Sequence, residues 1–220
     1  RCLAVCAISY TIGGNNMTVL AKQTEAKRLK VLWEYEVLDT VPEEVFDDLT
    51  ELAARICEAP IALISLVDED RQWFKAKIGT TLGQTSRDIS FCAHAIKHSD
   101  LFIVPDATKD KRFANNPLVT SEPKIRFYAG APLITTDGYA IGTLCVIDKV
   151  PRELLSDQKL ALRILARHVV SQLELRNRTK ALTIERKESR RVHSEVEQLR
   201  AELARARKKI ARLEAVAPPP

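Results

Sequence analysis

Three side chains that could bind a ligand or react lie close together in the segment DISFCAHAIKH, residues 88–98. They are the thiol of Cys92 and the imidazoles of His94 and His98. A thiol and two imidazoles could bind a metal ion, and a thiol beside an imidazole base could act as a nucleophile. If a helix begins near Ser90, Cys92 lies in its first turn, where unpaired backbone N–H groups favour a thiolate. The segment therefore predicts a ligand-binding site or a site of thiol chemistry.

Helical geometry argues against a metal site or a catalytic pair built from these residues. At 100° per residue, the side chains of Cys92 and His94 diverge by about 200°. The sequence also shows no paired carboxylates, phosphate-binding glycine loop or Ser-His-Asp arrangement, and it has only seven glycines. We therefore predict no metal site and no enzymatic activity. Cys92 is then either a small buried residue or part of a binding site, and a thiol enzyme that uses Cys92 stays the alternative.

Composition indicates a cytoplasmic protein. No apolar run approaches the roughly 18 to 20 residues that cross a bilayer, so no membrane span is predicted. The cysteines are odd in number and lie mostly within apolar runs, which is typical of free thiols in a reducing compartment. They are Cys2, Cys6, Cys57, Cys92 and Cys145. We expect Cys57 and Cys145 to be core residues.

The elements around the central segment can be predicted from hydrophobic periodicity. Helical spacing predicts helices over residues 25–38 and within 41–60, and a terminal helix that begins near Ser156. Strands are predicted over 61–68, 72–79, 101–106, 125–133 and 139–148, with a turn at Asp137 and Gly138. The polar segments 80–87 and 107–124 are predicted loops. Hairpins in place of regular β-α-β alternation indicate an α+β domain, with an antiparallel sheet covered by helices.

The tail carries the pattern of a parallel, dimeric coiled coil. From residue 192 onward, apolar residues alternate in steps of four and three. The predicted seam consists of Val192, Val196, Leu199, Leu203, Ala206, Ile210 and Leu213. Flanking charges such as Glu195 and Arg200 have the opposite signs that a parallel homodimer requires.

The positive charge of the chain is concentrated in this tail. Residues 176–214 hold 13 Lys/Arg and 6 Asp/Glu, whereas the whole chain has a net charge of +5. A basic segment ahead of a zipper is typical of basic-zipper DNA-binding proteins, but here acidic residues are interspersed and the Asn-to-Arg spacing does not match. We therefore predict a solvated helix without a nucleic-acid partner.

Several segments together resemble the GAF domain, in the bacterial subgroup that precedes sensor kinases and diguanylate cyclases. They are PIALISLVDEDRQWFKAKIG, SFCAHAI, IRFYAGAPLITTDGYAIGTLCVID and the Leu-rich terminal helix, within residues 25–175. The resemblance implies a GAF/PAS-like central six-stranded antiparallel sheet flanked by helices. It also implies a ligand pocket on one face of the sheet, roofed by the short central helix and the long loop.

The resemblance further implies which residues line that pocket. They are Phe91, Cys92, Ile96, Asp106, Phe113, Asn116, Phe127 and Tyr128. It identifies no cofactor: many bilin-binding members place Cys and His side by side, whereas Cys92 and His94 are separated by Ala93. The Asn-Lys-Phe-Asp-Glu set of cyclic-nucleotide-binding members is also missing.

We therefore predict a cytoplasmic sensory input module of bacterial signal transduction. It would sense a small molecule or a redox state and pass the signal through a dimeric helix to a histidine kinase or diguanylate cyclase output. Residues 1–24 would be a disordered or upstream extension with Met17 as a candidate start, 25–175 the sensory domain, 176–216 the coiled coil and 217–220 a tail. The alternatives are a Cys92-dependent enzyme resembling methionine sulfoxide reductases, or a dimerisation scaffold with a degenerate pocket.

Overall fold

The computed structural model describes the backbone of residues 25–214 and the side chains of residues 25–208. The predictions for residues 1–24, including Cys2, Cys6 and Met17, lie outside the described residues. The same holds for the tail 217–220 and for the side chains of Ile210 and Leu213.

The described chain forms one sheet with helices on both faces. In chain order the helices and strands are α1 (Glu25–Glu34), α2 (Glu44–Cys57), β1 (Ile61–Val67), β2 (Arg71–Ile78), β3 (Gln84–Ser86), α3 (Phe91–Ala95), β4 (Phe102–Val104), α4 (Pro117–Thr120), β5 (Phe127–Ile134), β6 (Ala140–Asp148) and α5 (Ser156–Glu214). The strand order is β3-β2-β1-β6-β5-β4, and all neighbouring strands are antiparallel. The predicted α+β class and six-stranded antiparallel sheet are confirmed.

Two short elements occur in segments that were predicted as loops. β3 pairs with β2 within the segment 80–87. α4 lies within 107–124, where Asn116 caps the helix and Pro117 occupies its first turn. β3 (QTS) and α4 (PLVT) are too short to show periodicity and do not lie in an apolar run, unlike the three-residue strand β4 (FIV), so the pattern of apolar residues does not reveal them.

The first helix is shorter than its predicted range of 25–38. α1 ends at Glu34, and Glu36 and Asp39 then adopt left-handed backbone conformations, with φ of 44° and 57°. A left-handed residue ends an α-helix, because L-residues do not propagate a helix from that region. The chain therefore turns before it enters α2.

The sheet separates two hydrophobic cores. On one face, α1, α2 and the first part of α5 pack around residues such as Phe46, Leu144 and Leu162. On the other face, α3 and the segment that contains α4 cover the sheet. This core contains Phe91 of α3, Tyr128 of β5 and further apolar side chains. Every residue of β6 is buried, as expected for a central strand that is covered on both faces.

The terminal helix has different environments along its length. One compact unit extends to Leu173 and a second begins at Glu174. Within the first unit Leu162, Val169 and Leu173 are buried in the core beneath the sheet, so this part of the helix packs on its own domain. In the second unit every described side chain from 178 to 208 is exposed. Among the described residues, no helix has the length and apolarity that a membrane span requires.

Candidate functional site: a buried thiol pair beside a cavity

Ser90 joins the short helix α3 to the sheet. Its Oγ accepts a hydrogen bond from the N–H of Ala93 at 3.0 Å, so the predicted helix start near Ser90 is confirmed. The same hydroxyl donates to Oε1 of Gln72 on β2, and the hydroxyl of Ser65 on β1 donates to that oxygen at 3.3 Å. The Gln72 amide nitrogen donates to Thr85 on β3 at 2.6 Å. One buried amide therefore connects α3 with three strands.

Two thiols face each other between α3 and the sheet. The Sγ atoms of Cys92 on α3 and Cys145 on β6 are 3.9 Å apart, and the two residues are 2% and 0% exposed. The hydroxyl of Tyr128 donates to the Cys92 sulfur at 3.4 Å and lies 3.5 Å from the hydroxyl of Thr143. The pair thus occupies a small polar region within an otherwise apolar core.

The two thiols differ in acidity because they share one set of hydrogen bonds. Burial raises the pKa of Cys92, but hydrogen bonds, chiefly from Cys145, Thr143 and Tyr128, outweigh burial and lower this pKa to about 6. The hydrogen bond to Cys92, burial and the charge of the Cys92 thiolate raise the pKa of Cys145 well above its usual range. Cys92 therefore loses its proton first, and Cys145 keeps its proton.

Five of the predicted pocket residues do come together beneath α3: Phe91, Cys92, Ile96, Phe113 and Tyr128. The rings of Phe91 and Phe113 are stacked with centroids 4.0 Å apart, and Phe91 also stacks on Tyr128 at 5.2 Å. None of these three rings is more than 2% exposed. Packed aromatic side chains therefore occupy the space in which the sequence predicts a hollow.

The other three predicted pocket residues lie elsewhere. Consecutive strand residues point to opposite faces, so Phe127 faces the core formed with α1, α2 and α5, whereas Tyr128 faces α3. The prediction that Phe127 lines the pocket on the α3 face is therefore wrong. Asn116 caps α4 and donates to the carbonyl of Ile89 at 3.0 Å, which fixes α4 to the turn before α3. Asp106 belongs to a loop, where it accepts hydrogen bonds from Thr108 and pairs with Lys109.

The two histidines of the central segment pack against aromatic rings. His94 meets the ring of Phe113 edge-on at 4.9 Å, and His98 stacks on Phe102 at 5.0 Å. Burial and the nearby Lys97 and Arg112 lower the pKa of His94. Over residues 25–208, no group of three or more metal-binding side chains comes together.

A cavity of about 390 Å³ lies beside the aromatic cluster on the same face of the sheet. This volume is within the range of small-molecule sites. Its apolar lining consists of Ile61, Leu63, Phe74, Leu82, Leu118, Pro123, Ile125 and Ile147, and its remaining lining residues are Gln72, Gly79, Thr80, Thr85, Glu122 and Lys149. Lys149 and Glu122 form an exposed ion pair at 3.6 Å. The cavity therefore combines an apolar floor with a polar rim that carries both charges.

None of the predicted pocket residues lines this cavity. The sequence could have indicated the strand residues of this lining, because Ile61, Leu63 and Ile147 alternate along predicted strands and share the face of Cys145. The loop residues of the lining carry no such signal. Gln72 belongs to both the cavity and the network that holds α3, so the two features are physically connected.

A family model described as the GAF domain matches residues 41–173 of the chain. A protein of Pseudomonas aeruginosa, named as a cyclic di-GMP phosphodiesterase, is 49% identical over 126 residues. That match covers 57% of this chain and 22% of the relative, so the chain spans about a fifth of the relative's length.

Solved structures share the fold at low sequence identity. The GAF domain of an Acinetobacter phosphoenolpyruvate-protein phosphotransferase has 18% identity and a TM-score of 0.51, over 68% of this chain and 92% of that domain. The free methionine-R-sulfoxide reductase of Neisseria meningitidis, solved in complex with its substrate, has 16% identity and a TM-score of 0.50, over 79% of this chain and 98% of that protein. At these identities the likeness shows the fold alone.

Proposed function

Because the chain belongs to the GAF domain family, we propose that it is a cytoplasmic sensory input module, in which a small molecule occupies the cavity and changes how α5 pairs with a second copy. The observation that carries this proposal is the cavity of about 390 Å³ on the α3 face of the sheet. A ligand can shift the equilibrium between two states only by the difference in its affinity for them. The cavity gives such a ligand contacts that depend on the positions of β2, the loop after it and α4.

The lining indicates an amphipathic ligand. Leu63, Phe74 and Ile147 would contact an apolar body, and Gln72 and Lys149 offer polar groups at different positions of the wall. Displacement of the Gln72 side chain by a bound polar group would alter its hydrogen bond with Ser90, the cap of α3. Ligand binding in the cavity would thereby change the position of α3.

The exposed apolar seam of α5 supports the proposed dimer. Val192, Val196, Leu199 and Leu203 are between 37% and 58% exposed, although they are spaced for a coiled-coil core. Burial of these residues against a second copy removes apolar surface from water. In this proposal, residues 25–175 form the sensory domain and residues 176–216 form the dimeric coiled coil.

The Pseudomonas aeruginosa relative favours an output in cyclic di-GMP turnover. That protein is named as a cyclic di-GMP phosphodiesterase, and the match covers 22% of its length. We propose that this chain regulates an activity of that kind, either a phosphodiesterase or a diguanylate cyclase, in preference to a histidine kinase.

The cavity can be tested with anilinonaphthalene sulfonate, an apolar fluorescent anion. We expect saturable fluorescence with the unaltered chain. For Leu118→Trp we expect an affinity at least about tenfold weaker, because the larger side chain occupies part of the cavity. Leu155→Trp is the matched control, since Leu155 is 70% exposed and outside the cavity. Leu82→Trp, also at the cavity, replaces Leu118→Trp if that variant unfolds. Equal binding by the cavity variants and the unaltered chain would contradict the proposal.

An activity assay distinguishes the sensor from a thiol enzyme. We expect no turnover of free methionine sulfoxide by the chain in the presence of a thiol reductant, because Cys92 does not line the cavity and would not contact a substrate bound there. Turnover that is lost in Cys92→Ser would instead support a reductase.

A further inference from the structure

We infer that Cys92 and Cys145 are a redox modification site, at which a hydroperoxide converts the two thiols into a disulfide between α3 and β6. The pair is separated by 53 residues in sequence, yet the two sulfur atoms are 3.9 Å apart. A disulfide requires a sulfur separation of about 2.05 Å, so the atoms must approach by about 2 Å. Neither residue lines the cavity, so the disulfide does not require the ligand of the proposed function.

The required approach can be made by α3. Cys145 lies in β6, which is hydrogen-bonded to β1 on one side and to β5 on the other. Cys92 lies in a helix of only five residues, whose N-terminal cap is Ser90. A short helix connected to the sheet by side chains moves more easily than a central strand. We therefore expect Cys92 to make most of the approach while Cys145 stays in place.

The surroundings of the pair support thiol chemistry at Cys92. The hydroxyl of Tyr128 donates to its sulfur at 3.4 Å, and a donor at that distance stabilises a thiolate. The lowered pKa of Cys92 and the raised pKa of Cys145 agree with an attacking thiolate and a resolving thiol. Cys57, in the other core, differs because burial raises its pKa to about 11.

The cavity offers the oxidant a route to the pair. Leu63 on the cavity floor is directly paired with Cys145 in the β1–β6 ladder. Gln72 lines the cavity and accepts a hydrogen bond from Ser90, two residues before Cys92. A hydroperoxide as small as hydrogen peroxide can therefore enter beside the network that holds α3, and opening of α3 exposes the Cys92 sulfur.

The reaction balances with hydrogen peroxide as the oxidant. The Cys92 thiolate attacks one peroxide oxygen, the O–O bond breaks, and a sulfenic acid forms while hydroxide leaves and takes up the proton lost by Cys92. The Cys145 sulfur then attacks the Cys92 sulfur, the S–O bond breaks, and the second water leaves with the proton of Cys145. Two thiols lose two electrons and two protons, and one peroxide becomes two waters.

Peptide mapping of the full chain tests this inference. Cys2→Ser and Cys6→Ser are introduced so that the three thiols Cys57, Cys92 and Cys145 remain. Trypsin releases peptide 88–97 with Cys92 and peptide 127–149 with Cys145. After hydrogen peroxide treatment and alkylation, we expect a species whose mass is that of both peptides minus two hydrogens, and dithiothreitol should abolish it.

Matched variants separate a resolving thiol from general oxidation. In Cys145→Ala the cross-linked species must disappear, and dimedone must trap a sulfenic acid on Cys92. In Cys57→Ala the cross-link must persist. In the chain that keeps all three thiols, Cys57 must still be alkylated after the peroxide treatment. Cys92→Ala serves as a second variant if Cys145→Ala loses its circular dichroism signal. Peroxide-treated protein in which both peptides remain alkylated, or in which Cys57 is oxidised as fast as Cys92, overturns the inference.

Discussion

Individual residues acquire their chemistry here from partners that are distant in sequence. Lys75 is the clearest case, because its alternating strand predicts no particular partner, yet its side chain is fully buried. Its ammonium donates to Thr40 and to the carbonyl of Val41, at 3.0 and 2.8 Å, and pairs with Glu43 at 2.6 Å. It also lies over the ring of Phe46 at 5.2 Å. The residue thus holds the segment before α2 against β2.

Lys75→Met tests this role at the scale of one residue. Loss of the ammonium removes the hydrogen bonds that Lys75 donates to the Val41 carbonyl and to the Glu43 carboxylate, so we expect the free energy of unfolding to fall by about 2 kcal/mol. Urea unfolding followed by circular dichroism measures the change. Lys30→Met on α1, whose side chain is 77% exposed, is the control and should change stability by less than about 0.5 kcal/mol.

The reactivity of Cys92 should depend on pH in a defined way. Its pKa is about 6, so the thiolate fraction rises as the pH increases through this value. We expect the rate of peroxide consumption at Cys92 to increase from pH 5 to about pH 7 and then to level off, whereas Cys57, with a pKa of about 11, stays slow across this range. Time-resolved alkylation with mass spectrometry gives both rates. A Cys92 rate that is flat between pH 5 and 7 would rule out thiolate control.

At the scale of elements, the two shortest α-helices are held by side-chain caps. Ser90 caps α3 and Asn116 caps α4, and Asn116 also reaches the carbonyl of Ile89 just before α3. Helices of four or five residues are far below the length at which an isolated helix is stable in water. The position of the roof over the sheet therefore depends on these few polar contacts and on the aromatic stack.

Ser90→Ala should loosen α3 more than it destabilises the whole domain. The variant loses the cap to Ala93 and the hydrogen bond to Gln72, and loss of a cap costs about 1 kcal/mol. We expect faster hydrogen exchange of the amides in α3 and little change in β6. Ser90→Thr keeps the hydroxyl and should exchange like the unaltered chain. Unchanged exchange in Ser90→Ala would show that aromatic packing alone holds the helix.

At the scale of the molecule, the exposed apolar surface on α5 is the feature that supports the proposed homodimer. The seam residues Val192, Val196, Leu199 and Leu203 remain exposed, and every described side chain around them is exposed as well. Earlier on the same helix, Leu160 and Ile164 are 54% and 36% exposed although they are apolar. Both groups fit the proposal that the module works as a homodimer.

Leu203→Glu should convert the chain into a monomer at micromolar concentration. A carboxylate at a seam position would have to be buried against its own copy, which costs more than the seam gains. Sedimentation equilibrium measures the mass. Ala201→Glu places the same charge on the outer face of the predicted coiled coil and should leave the dimer intact. A monomeric unaltered chain, or a dimeric Leu203→Glu, would contradict the seam.

The amino-acid sequence by itself determined the class of the fold and most of its elements. Hydrophobic periodicity is a local property, so it located α2, five of the strands and the start of α5, and the cap at Ser90 marked the start of α3. The gathering of Phe91, Phe113 and Tyr128 also agreed with the resemblance to a known family. These features depend on residues that are close together in the sequence, or on motifs that follow one another in the order typical of the family.

Only the tertiary structure decided the geometry of the site. The face of the sheet that Phe127 occupies depends on the phase of β5, and part of the cavity wall comes from loops whose positions no periodicity encodes. The contact between Cys92 and Cys145 depends on how a short helix packs over a strand 53 residues away. Such contacts result from strand register and side-chain packing between distant segments, and a local pattern cannot specify them.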